Sequence, residues 1–80
     1  MLTYRIFYED EYKIIYEYHP EDREEYGLIS VDKISKEIKL EKRAYDDEVH
    51  DNFFSCMMFS KLRKFIEAND YKESGIIAWY

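Results

Sequence analysis

From its second residue the chain alternates. Tyr4, Ile6 and Tyr8 take turns with Thr3, Arg5 and Phe7, the period-two pattern of a strand with one face against a core. Glu9-Asp10-Glu11 interrupts the pattern, and alternation resumes with Tyr12, Ile14, Tyr16 and Tyr18 against Lys13, Ile15 and Glu17. Two β-rich runs joined by a short acidic turn predict a hairpin. Residues 20–26, Pro-Glu-Asp-Arg-Glu-Glu-Tyr, read as a charged loop closed by Gly27. Segments 28–33 and 37–43 predict a second hairpin across Ile34-Ser35-Lys36.

The period then changes to that of a helix. Placed at ~100° intervals, Phe54, Met58, Phe59, Leu62, Phe65 and Ile66 fall within an arc of roughly 140°, a broad core-facing stripe. Asp46 or Asp47 supplies an N-cap oxygen, and Asn69 suits a left-handed stop. Asp47, Glu48 and Asp51 near the start and Lys61, Arg63 and Lys64 near the end complement the helix dipole. These signals predict one unbroken helix of about 22 residues, roughly 33 Å long. The apolar run Ile76-Ile77-Ala78-Trp79-Tyr80 predicts a last strand buried on both faces, reached by a right-handed crossover and parallel to the fourth strand. The expected architecture is a single α+β domain over residues 1–80. Its order is β-β-β-β-α-β, a mostly antiparallel sheet with one long helix packed on one face.

That architecture cannot hide every apolar side chain. Phe53 and Met57 sit one turn apart, nearly opposite the core stripe and beside His50, Lys61 and Lys64. One helix covers one sheet face, so Phe7 and Ile15 point away from it, and Ile77 with Trp79 face opposite to Ile76, Ala78 and Tyr80. The candidate contact residues are therefore Phe53, Met57, His50, Phe7, Ile15 and Trp79, since clustered exposed apolar groups mark contact surfaces. The competing expectation is that the aromatic hairpin or the chain ends cover them.

Size adds weight to a partner. Eighty residues lie near the lower limit for an unaided core, which rarely supplies more than roughly 3–5 kcal/mol at this length. The single cysteine, Cys56, rules out a disulfide within the chain. With His19 and His50 it shows no metal-ligand spacing, so neither metal nor cofactor is expected. A second copy or another protein remains. No run approaches the ~20 apolar residues of a membrane span, no signal peptide is visible, and a lone thiol fits the cytoplasm.

Catalysis finds little material. Cys56 has no histidine three or four residues away, and neither His50 at the helix start nor His19 before Pro20 has a nucleophile beside it. Gly27 and Gly75, the only two glycines, cannot build a phosphate loop or a calcium loop. No enzyme is expected; a small-ligand site would need a tyrosine-lined pocket. The formal net charge of −6 opposes direct nucleic-acid binding and favours a basic partner. Glu21, Asp22, Glu24, Glu25, Asp46 and Asp47 are the candidate steering carboxylates. Spaced along the surface, they would imitate a phosphate backbone toward a nucleic-acid-binding protein; the simpler expectation is that they lie in ordinary solvated loops and keep the chain soluble. Lys33, Lys36, Lys39, Lys42 and Arg43 crowd the second hairpin; they read as a charged strand edge that resists aggregation, in preference to an RNA patch.

The tyrosine-rich first hairpin and the closing Gly75-Ile76-Ile77-Ala78-Trp79-Tyr80 resemble the two ends of short uncharacterised bacterial and phage proteins. The resemblance carries no site residue or activity. It implies a small acidic protein that binds and blocks a larger host protein. The expected function is non-enzymatic protein binding, with a structural homodimer joined through the uncovered sheet face as the alternative.

Overall fold

The computed structural model describes residues 1–21 and 23–78. In chain order its elements are β1 (Leu2–Glu9), β2 (Lys13–Pro20), β3 (Gly27–Asp32), β4 (Ile38–Lys42), α1 (Tyr45–Val49), α2 (Phe53–Ala68) and β5 (Ser74–Ile77). The class is α+β as expected. Five strands form one sheet in the order β4-β3-β2-β1-β5, each pair antiparallel, and the core stripe of α2 packs on one face.

Side-chain turns set the register of both hairpins. Asp10 Oδ1 accepts from the backbone N–H of Tyr12 and Lys13 at 2.8 and 2.9 Å. Asp32 Oδ1 does the same for Ile34 and Ser35 at 2.8 and 3.0 Å, and Lys36 closes that turn at φ 68°. These bonds to the charged form hold both carboxyls below their ordinary value; at Asp10 the Tyr8 hydroxyl contributes most.

The registers place Leu2, Tyr4 and Ile6 of β1 beside Pro20, Tyr18 and Tyr16 of β2, and carry the row on to Ile29 and Leu40. These side chains face α2, whose Phe54, Met58, Leu62 and Phe65 complete the core. The Phe65 ring lies 6.0 Å from those of Tyr4 and Tyr16, which meet each other edge-on at 5.9 Å. Buried tyrosines need partners for their hydroxyls. Tyr16 donates to the Lys72 carbonyl at 2.6 Å, and Tyr18 donates to Asp47. Burial pushes both phenols well above the usual tyrosine range.

Three sequence expectations need correction. Alternation along β1 holds through Phe7 and fails at Tyr8: a bulge between Ile6 and Tyr8 shifts the register, so Tyr8 pairs with Ile15 on the outer face. The last strand is not parallel to β4. It lies antiparallel to β1 on the opposite edge, pairing Leu2 with Ile77 and Tyr4 with Gly75. A helix of 16 residues spans about 24 Å, more than the ~19 Å width of five strands, so α2 can carry the chain to the far edge. Nor is that strand buried on both faces: Ile76 is 62% exposed. Gly75, expected ahead of the strand, is part of it. A β-carbon there would collide with the Tyr4 ring, so the glycine admits the close approach of β1.

The third correction is the helix. It is two helices, broken at residues 50–52, where Asp51 and Asn52 take left-handed conformations at φ 56° and 64°. Asp47 makes the break. Its Oδ1 accepts from the N–H of Phe54 and Ser55 at 2.8 and 2.9 Å, and its other oxygen accepts from Tyr18. Asp47 thus satisfies the orphan donors of α2 from within α1, while Asn52, the formal N-cap, makes no side-chain cap bond. None of the described helices is long and apolar enough to cross a membrane.

Candidate interaction surface

The break decides what the start of α2 presents. Arg23 and Glu25 reach α1: Arg23 Nε lies 3.3 Å from Asp46 Oδ2, and Glu25 Oε2 accepts from the Tyr45 N–H at 2.8 Å. Glu21, His50, Phe53 and Phe54 consequently line one groove of about 350 Å³. Phe53 is 44% exposed, with its ring edge-on to Phe54 at 5.2 Å. Glu48 and Asp51, both exposed, lie within two residues of His50 in the chain, whereas Glu24 lines a separate concavity with Arg5, His19, Arg23 and Ile76.

The structure therefore brings together three residues singled out by sequence, Glu21, His50 and Phe53. It divides the rest. Asp46 and Asp47 are not steering carboxylates on the surface. Asp47 is 0% exposed and holds α2, while Asp46 is buried against Arg23. Glu21 and Glu24 remain exposed, and Glu25 has one oxygen committed to α1. Glu21 also lies 3.5 Å from the chain's α-ammonium. Asp22 and Trp79 lie outside the described residues.

Met57 is not the companion of Phe53. It is half-buried, packs against the core, and lines a different groove of about 280 Å³ with Lys61, Lys64, Ile76 and Ile77. The two residues flank opposite neighbourhoods, one acidic and one basic.

The outer sheet face carries Phe7, 51% exposed, and half-buried Ile15, as the alternation required. Sequence reasoning missed their neighbours. Tyr26, assigned to a loop, lies 6.3 Å from the Phe7 ring and 5.5 Å from that of His19, with Lys42 Nζ 4.3 Å above it. Leu28 stands between Glu17 and Lys42 in the strand rows. Glu17 is only 7% exposed although no helix covers it. Arg5 donates to one of its oxygens, and His19 Nε2 lies 3.5 Å from the other. Since a carbonyl can only accept, His19 Nδ1 carries the proton toward the Arg23 carbonyl at 2.7 Å. The signal that would have found Tyr26 is continued alternation backward through Gly27.

Among the described residues no group of three or more His, Cys, Asp or Glu converges as metal ligands, and Cys56 is exposed on α2. No hydroxyl or thiol bonds to His19 among the described residues, so the Glu17–His19 contact has no nucleophile to activate. Scans against protein-family models and searches of curated proteins and of solved structures return no match, so the geometry above is the ground for any functional reading.

Proposed function

We propose that this chain is a non-enzymatic protein-binding module that holds, and thereby inhibits or sequesters, a larger basic protein. A nucleic-acid-binding protein has the matching charge. The carrying observation is the groove at the start of α2, lined by Glu21, His50, Phe53 and Phe54, with exposed Glu48 and Asp51 within two residues of His50 in the chain. An aromatic anchor in a concavity, ringed by charge, is the arrangement that concentrates binding energy and speeds encounter. The formal net charge of −6 works in the same direction and against direct nucleic-acid contact. The exposed, unbridged thiol of Cys56 suits a reducing cytoplasm.

The test is affinity capture from cytoplasmic extract at low and high salt, with the parent chain and a Phe53→Ser/Glu21→Lys variant. A basic protein retained by the parent, lost by the variant and weakened by salt supports the reading. Retention indifferent to both changes contradicts it.

The outer sheet face favours a second reading, a structural homodimer. Phe7, Ile15, Tyr26 and Leu28 lie there among charges of both signs, Arg5 and Lys42 against Glu17, so a two-fold axis could match the patch to itself. Sedimentation at micromolar concentration distinguishes them: a monomer eliminates the dimer.

A further inference from the structure

The two edges of the sheet are treated differently by the sequence. The β4 edge carries Lys39, Glu41 and Lys42, the kind of charge that discourages pairing with another chain. The β5 edge, Ser74-Gly75-Ile76-Ile77, carries none. Among the described residues β5 ends the sheet, bonded to β1 on one side only.

The ladder shows which groups are left over. The Ile6 N–H donates to the Glu73 carbonyl at 2.9 Å, and the register pairs Tyr4 with Gly75 and Leu2 with Ile77. Backbone groups of successive strand residues point to opposite sides. Glu73, Gly75 and Ile77 therefore address β1, and the N–H and C=O of Ser74 and Ile76 point outward. Beside this edge runs the groove of about 280 Å³ between β5 and α2, floored by Met57 and Ile77 and flanked by Lys61 and Lys64. Neither lysine has a carboxylate partner among the described residues; Lys61 Nζ lies 6.0 Å from the Phe65 ring centre. In a chain of net charge −6, two uncommitted cations are gathered at the one strand edge that has no charge of its own.

We infer that the β5 edge is a strand-addition site for an extended acidic peptide segment. The segment pairs with the outward groups of Ser74 and Ile76 as a sixth strand. Alternate apolar side chains enter the groove over Met57, and carboxylates meet Lys61 and Lys64. A second copy of this chain is a poorer occupant, because its own β5 is uncharged and only the single carboxylate of Glu73 before it could approach the two lysines. The site is separate from the acidic groove at the start of α2 and selects the opposite charge.

The experiment titrates fluorescently labelled, end-blocked octapeptides of alternating valine and glutamate, or valine and lysine, into the full chain and follows anisotropy. The acidic peptide should bind saturably and the basic one much more weakly at this site. Ile76→Pro removes one outward N–H while leaving the β1 ladder intact, so it should abolish binding with an unchanged far-ultraviolet spectrum. Lys61→Glu/Lys64→Glu should weaken the acidic peptide by about tenfold or more, without any backbone change. Absence of saturable binding, or equal binding of the acidic peptide by the charge-reversed variant, overturns the inference. So does a parent chain that sediments as a dimer and becomes monomeric on Ile76→Pro, since the occupant would then be a second copy.

Discussion

Replacing Asp47 by alanine should nearly unfold the protein, although no sequence rule marks that residue as more than a helix cap. Its carboxylate accepts from two backbone donors of α2 and from the hydroxyl of Tyr18, with no exposure to solvent. Alanine removes the Asp47 acceptor from three buried donors. Each unsatisfied donor costs about 1–3 kcal/mol, with some relief if water enters. Loss of a cap alone costs about 0.5–2 kcal/mol. A total near 3–5 kcal/mol is expected, against a stability of roughly 4–12 kcal/mol for a chain this long. Asp47→Asn keeps an oxygen for the two N–H groups and should lose only about 1–2 kcal/mol. Urea unfolding followed by circular dichroism gives both values. A cycle with Tyr18→Phe should show coupling of about 1 kcal/mol or more. If Asp47→Ala lies within about 0.5 kcal/mol of the parent, the ordinary range for surface changes, Asp47 does not hold α2 in place.

The other predictions are shorter. Gly27→Ala should destabilise by about 1–3 kcal/mol in thermal melts, because a β-carbon there overlaps the Tyr18 ring, which is buried and anchored through its hydroxyl; an unchanged melting temperature would show that the ring can give way. Phe53→Ala should shift stability by less than about 1 kcal/mol, while Phe54→Ala on the core side should cost about 3–5 kcal/mol; equal losses would place Phe53 in the core. At high pH the unfolded chain ionises tyrosines near 10.0, whereas burial keeps Tyr16 and Tyr18 protonated in the folded state. Stability from this source is whole below that pH and falls as the pH rises beyond it toward the folded values. A urea-midpoint series from about pH 8 to about pH 11 should therefore drop, and Tyr16→Phe should lessen the drop; an identical slope in the variant refutes this.

What the sequence made legible was periodic. The two strand patterns, the acidic turn at Asp10 and the α2 stripe from Phe54 to Phe65 each announce a local choice that the tertiary packing then uses. The features it hid are decided by distant groups. Nothing near Asp47 signals that Tyr18, 29 residues earlier, will donate to it, or that the helix must therefore break at Asn52. The side on which β5 adds depends on the reach of α2 and on Gly75 accepting the Tyr4 ring, neither of which is a property of the Ile76-Ile77 run itself. The same limit applies to the surface. Exposure of Phe53 and Phe7 followed from period alone, whereas the separation of Met57 from Phe53 follows from β5 lying beside it.

The acidic groove carries the functional account, and amide chemical shifts probe it directly. A basic peptide of alternating leucine and lysine, titrated into isotopically labelled protein, should move the amides of Glu21, His50, Phe53 and Phe54 most, with Phe53→Ser reducing the affinity. Shifts spread evenly over every exposed carboxylate, or centred on Phe7, Tyr26 and Leu28, would contradict it.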